Sequence, residues 1–323
     1  MRQAPGPFEP HSVGRRRPSV VGGRGREGVG CAVCLEAEDG EGGSRDLVAV
    51  APHAAVEAGR EPVPRRAAPA PAAEPPGPAE DAAPRGAAAP AAPAWEMAEL
   101  AAQNAVFERR GGPAEDIVAW AAERYRPEAV LACSFGVEDC VLVDICFRHA
   151  PDVQIFYLDT QLLFPETYEA RDRLVARYGI RPVPVLPALT PEEQARRHGP
   201  ALWSRDPDLC CHMRKVVPLE GFLRGRRAWI TGVRRDQAPS RAGAPFVGWD
   251  QRFGLAKANP LAAWSSRDVW RYVHEHDVPY CSLHDQGFPS IGCWPCTRAV
   301  GPGEDPRAGR WSGSTKTECG LHA

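Results

Sequence analysis

The sequence predicts a doubly wound α/β fold built on a mostly parallel sheet. Three observations carry that expectation: short apolar runs rich in Val, Ile and Leu, helical periodicities of about 12 to 15 residues between them, and no internal repeat of about 20 to 50 residues. Residues 1–96 stand apart. They are dominated by Ala, Pro, Gly and Arg and show no apolar period of about 3.6 or 2 residues, so too little large apolar surface is available to offset chain entropy. That extension is predicted to be disordered, or not part of the working protein, with an ordered domain over 97–305 and a flexible tail over 306–323.

The elements follow in order. Met97 is expected to open a helix, "MAELAAQNAVFERR", and "PAEDIVAWAAERY" is an amphipathic helix with Pro113 in its first turn. "AVLACSF" is a short buried strand, and "VEDCVLVDICFRHA" returns to helical spacing. "VQIFYLD" is a second strand, "PETYEARDRLVARYG" a helix ended by Gly179, "RPVPVL" a third strand and "AWITGV" a fourth. In such sheets ligands bind beyond the carboxyl ends of the strands. The first strand ends in Ser134-Phe135-Gly136, a turn able to offer N–H groups and a hydroxyl to a phosphate, and the second ends in Asp159-Thr160. A plain strand-to-helix turn would leave the same signature in both places.

Charge and hydropathy exclude several classes. A net charge of −2 argues against nucleic-acid binding through a basic surface field. No run of about 18 apolar residues and no compact leader are present, which predicts a soluble, cytoplasmic protein. Of 39 basic residues only Lys215, Lys257 and Lys316 are lysine, so these positions are candidates for needing a compact ammonium.

Eleven cysteines are many for a chain in a reducing compartment, which turns attention to metal or thiol chemistry. Cys133, Cys140 and Cys146 lie in apolar runs and read as core, Cys281 is ambiguous, and Cys31/Cys34 sit in a stretch unable to fold around an ion. The adjacent pair Cys210-Cys211 and the C-x-x-C pair Cys293/Cys296 together offer four thiolates for a zinc ion or an iron–sulfur cluster. Adjacent cysteines on a helix diverge by about 100°, which favours the larger cluster. Arg214, Lys215, Arg234, Arg235, Arg241, Arg298, Arg307 and Arg310 recur beside these cysteines in Gly/Pro-rich loops, a pattern suited to holding an anion. Cys319 stands near the end of the sequence, where a thiol is not readily core.

"SFGVED", "LDT…FPETY", the Cys-Cys and C-x-x-C set, "TGVRRDQ…SR", "EDPRAGRW" and "KTECGLH" together resemble the assimilatory adenosine 5′-phosphosulfate (APS) reductases, relatives of the 3′-phospho-APS (PAPS) reductases, over about residues 100 to 323. One departure is Gln161, where the family commonly has Gly. The resemblance implies an adenine nucleotide alpha-hydrolase-like fold and an oxidoreductase that reduces APS to sulfite and AMP. It implies Cys319 as nucleophile, forming an S-sulfocysteine that thioredoxin, or a glutaredoxin, resolves. Cys210, Cys211, Cys293 and Cys296 would hold one [4Fe-4S] cluster per chain. Lys215 and His322 would assist Cys319, and Ser134, Phe135, Gly136, Asp159, Thr160, Arg234, Arg241, Arg307 and Arg310 would bind substrate. PAPS reductases lack the four cluster cysteines, so their presence here points to APS. A homo-oligomer is expected. The alternatives are a PAPS reductase, another nucleotide-loop enzyme such as an ATP sulfurylase small subunit or an iron–sulfur tRNA-thiolating enzyme, and a zinc-stabilised non-enzymatic module.

Overall fold

The computed structural model describes residues 91–321; Cys31, Cys34 and His322 lie outside them. The chain enters on α1 (Ala94–Arg109) and α2 (Ala114–Arg124). The first helix starts three residues before Met97, because the carbonyl of Pro93 accepts the N–H groups of Glu96 and Met97 at 2.9 and 3.1 Å. A proline just outside a helix already has the φ that its first turn requires.

The sheet then builds outward. Strand β1 (Ala129–Ala132) leads through α3 (Val137–His149) to β2 (Gln154–Leu158), and α4 (Pro165–Tyr178) leads to β3 (Val183–Val185). As expected, α4 stops at Gly179, whose φ of 65° is the left-handed cap that glycine adopts without strain. The chain continues through α5 (Pro191–His198), α6 (Leu202–Arg205), α7 (Pro207–Cys211), a π-helical stretch His212–Val216 and α8 (Val217–Leu223). It re-enters the sheet as β4 (Ala228–Ile230). Strands β5 (Val247–Asp250) and β6 (Leu255–Ala258) follow, then α9 (Ser266–His276). The strand order is β3-β2-β1-β4-β6-β5, parallel except for the antiparallel edge strand β5.

Alternation along the strands divides the core. Ala129, Leu131, Ile155, Ile230 and Ala256 face the helices α1 to α4 and α9, whereas Val130, Phe156, Trp229 and Leu255 face Leu219, Phe222 and Leu223 of α8. Cys133, Cys140, Cys146 and Cys281 are buried in the first of these layers, which settles Cys281 as a core residue. The fold class agrees with the sequence expectation, with two more strands than the four it marked.

Candidate active site

Beyond the carboxyl ends of β1, β2 and β4 lies a cavity of ≈ 630 Å³. The turn after β1 forms one wall. Phe135 takes φ 60° and packs its buried ring against Tyr157, which lets the chain reverse and start α3 at once. The N–H and Oγ–H of Ser134 both donate to Asp139 Oδ2 at 2.6 Å, and Gly136 N–H donates to Ser134 Oγ at 3.3 Å. Burial pushes the Asp139 carboxyl up to about 6, against the opposing hydrogen bonds from Ser134 and Gly232.

Cations form the facing wall. Arg234, Arg241, Arg307 and Arg310 all line the cavity together with Lys215, Glu318 and Cys319. Arg234 is already engaged, by Glu138 at 3.0 Å, Asp236 and the Trp264 carbonyl. Arg310 donates to Ser290 Oγ and the Ile291 carbonyl at 3.1 and 3.2 Å and lies 4.5 Å from the Trp311 ring centroid. Its Nε is buried without a hydrogen-bond partner among the described residues. Thr160 joins the lining, but Asp159 does not. The Asp159 carboxylate turns away to accept the Tyr168 hydroxyl at 2.6 Å and the Gln161 N–H at 2.9 Å. Phe156, Leu219 and Trp229, which no sequence motif marked, supply apolar wall.

A second, smaller pocket adjoins the first and is lined by Cys210, Cys211, Cys293 and Cys296. The four thiols are brought together by α7, by the bridge pairing Leu163 with Cys293, and by the N–H of Trp311 donating to the Cys296 carbonyl at 2.9 Å. Polar groups face the sulfurs. Thr160 Oγ1 is 3.3 Å from Cys293 Sγ, and Gln194 Nε2 is 3.7 Å from Cys210 Sγ. Buried Arg214 donates to the carbonyls of Thr160 and Leu189 and to the side chains of Gln194 and Gln161. Burial raises the Cys210 and Cys211 thiols and pushes Cys296 up to about 12, so thiolates here need a compensating cation. Among the described residues no three His, Cys, Asp or Glu side chains close on one ion-sized point; the four sulfurs instead border a pocket.

Lys215, Arg310 and Trp311 line both pockets and form the partition between them. Burial alone would lower the Lys215 ammonium, but the sulfur charges of Cys293, Cys319 and Cys211 outweigh it and raise it above the ordinary lysine range. Trp203 and Gln194 around the cysteines escaped the sequence reading, because a lone Trp or Gln carries no spacing signal. Lys316 pairs with Asp208.

The fold and these two pockets define a mostly parallel α/β protein with a strand-end cavity and a thiol at its wall. The chain belongs to the phosphoadenosine phosphosulfate reductase domain family, whose model matches residues 128–299. It is 50% identical over 208 residues to the adenosine 5′-phosphosulfate reductase of Halalkalibacterium halodurans, covering 64% of this chain and 90% of that one. It is 49% identical over 207 residues to adenosine 5′-phosphosulfate reductase 1 of Bacillus subtilis, covering 64% and 89%. Among solved structures it is similar to the phosphoadenylyl-sulfate (PAPS) reductase of Candida auris, with TM-score 0.56 and 28% identity over 66% of this chain and 100% of that one.

Proposed function

We propose that this chain reduces adenosine 5′-phosphosulfate to sulfite and AMP, with Cys319 as nucleophile and thioredoxin as the outside reductant. The observation that carries the reading is the placement of Cys319 in the same cavity as the Ser134 turn and Arg241, Arg307 and Arg310. The Ser134 turn and the apolar floor suit an adenosine moiety, and the arginines suit its phosphosulfate. An anionic thiolate approaching an anionic sulfuryl group requires charge already in place, which the arginines and Lys215 supply. The Cys319 thiolate attacks sulfur, the S–O bond to AMP breaks, and the phosphate oxygen keeps the electron pair. A thioredoxin thiolate then attacks Cys319 Sγ, sulfite departs with the S–S bond electrons, and the second thioredoxin thiol frees Cys319. The dithiol is oxidised and the sulfuryl sulfur reduced by two electrons.

Cys210, Cys211, Cys293 and Cys296 fit a [4Fe-4S] cluster, one per chain: three buried thiols and the half-buried Cys296 border one pocket, with polar donors and the cations Arg214, Lys215 and Arg310 beside them. Bound there, the cluster would tie α7 to the 293–297 loop and contribute to the local field. The test is to incubate anaerobically purified protein with labelled APS or PAPS and no thioredoxin. A sulfonate on Cys319 is expected from APS in preference to PAPS, with four irons per chain. A Cys319→Ser variant that still accepts the label would overturn the reading.

A further inference from the structure

Glu318, beside the thiol, carries the strongest unassigned contact in the cavity. Its carboxylate is gripped along the Nε/Nη2 edge of Arg241 at 3.0 and 2.9 Å, receives Arg307 Nη2 at 3.1 Å, and accepts Ser240 Oγ at 3.4 Å. The three side chains are only 12%, 9% and 18% exposed for Glu318, Arg241 and Arg307. A bidentate, water-poor contact of this kind is where an ion pair holds geometry, unlike an exposed pair. Burial would raise the Glu318 carboxyl, but the hydrogen bond and charge of Arg241 and the charge of Arg307 hold it below the ordinary range.

The rest of the tail is held more lightly. Arg307 also donates to the Thr317 carbonyl at 2.9 Å, Lys316 meets the exposed Asp208, and Arg252 meets the Gly320 carbonyl. Arg241 has its remaining bonded nitrogen, Nη1, on Gln237 at 2.6 Å, so all three of its nitrogens are engaged while the tail is down. A fully buried donor in the wall with no partner among the described residues is the Nε of Arg310. The arginines thus divide their work in the docked state.

We propose that Glu318 is a positioning residue: its carboxylate docks the tail on Arg241, with help from Arg307, and so seats Cys319 at the cavity wall for attack. Arg310, with Lys215, then faces the anion in the cavity, while Arg241 gives hydrogen bonds to the tail and only its charge to the anion. The identity of that anion rests on the function proposed above, but the docking contact does not.

Two measurements on the cluster-loaded full chain test this. In the first, iodoacetamide labelling of Cys319 is followed by mass spectrometry of its peptide without ligand. Glu318→Gln and Arg241→Gln are each expected to speed labelling about 5- to 20-fold, and the double variant no further, since the pair acts as a unit. Additive effects, or none, would overturn the docking contact. In the second, single-turnover sulfonation of Cys319 by APS is compared with APS affinity in a Cys319→Ser background. Glu318→Gln is expected to slow sulfonation at least 10-fold while shifting affinity less than about 3-fold, with partial recovery in Glu318→Asp. Unchanged or faster sulfonation, or tighter APS binding in Glu318→Gln, would make the carboxylate a competitor of the substrate and overturn the proposal. If neither APS nor PAPS sulfonates even the wild type, the proposed function fails, and the labelling arm still decides the docking.

Discussion

Ser134 and Asp139 show how one carboxyl can set the state of a strand-to-helix turn. The Asp139 carboxyl, raised to about 6, lies above the carboxylate range of an unfolded chain, so ionising it costs the folded state. The cost is absent below about pH 4, grows as pH rises from there to the folded value, and is complete above it, amounting to about 3 kcal/mol. Asp139→Asn should remove that fall: the stability of the variant relative to wild type should rise between pH 4 and 7, read from denaturant midpoints. Equal slopes for the two proteins would refute the assignment. Gln161 is legible in another sense. In place of the family's glycine it holds φ 58°, with its N–H on Asp159 and its Oε1 accepting Arg214, so local hydrogen bonds compensate a conformation glycine takes freely. The sequence showed that glycine was missing; it could not show that a buried guanidinium would take up the amide.

At the scale of elements, legibility followed apolar periodicity. The strands Ala129–Ala132 and Gln154–Leu158 announce themselves by unbroken apolar runs, and α4 by its Pro start and Gly stop. The hairpin of β5 and β6 did not, because "VGWD" and "LAKA" are four residues each and include Gly, Asp and Lys. Lys257 pairs with Asp250 across that hairpin at 3.4 Å and lies over the Trp229 ring, a tertiary reason for a charge in a strand. The π stretch His212–Val216 was equally hidden. Pro218 follows it, and a proline has no N–H to close the bond to the Arg214 carbonyl, which favours wider turns just before it. The wide turn sets the direction of Cys210 and Cys211 relative to Lys215. Pro218→Ala should restore the missing N–H and let this stretch close as regular α-helix, which with the residue count unchanged rotates α7 by about 100° against α8. Iron per folded chain after anaerobic purification is then expected to drop at least 10-fold, with helical circular dichroism retained. Full iron loading of the Pro218→Ala variant would show that the π turn does not set the cysteines.

Across the described molecule, stability is unevenly shared. Residues up to α9 rest on the sheet and two apolar layers, whereas after His276 the described chain has only short 3₁₀ turns and isolated bridges. Those later residues nevertheless carry Cys293, Cys296, Arg307, Arg310 and Cys319. Their order therefore depends on where they are tied: the bridges Leu163 to Cys293 and Thr297 to Arg310, the Trp311 bond to Cys296, and the cysteine pocket itself. A group bound only by the folded state adds its binding energy to stability. Removing the proposed cluster by anaerobic chelation should therefore act locally before it acts globally. Trypsin cleavage after Arg298, Arg307, Arg310 and Lys316 is expected to accelerate at least 10-fold, while the far-ultraviolet spectrum of the sheet and helices stays close to native. A loss of about 3 kcal/mol would lower the melting temperature by about 6 to 12 °C for a domain of this size. If chelation removed all iron yet left cleavage at these four sites unchanged, the cysteine pocket would not be what holds the arginine wall in place, and the order of that wall would have to come from the bridges alone.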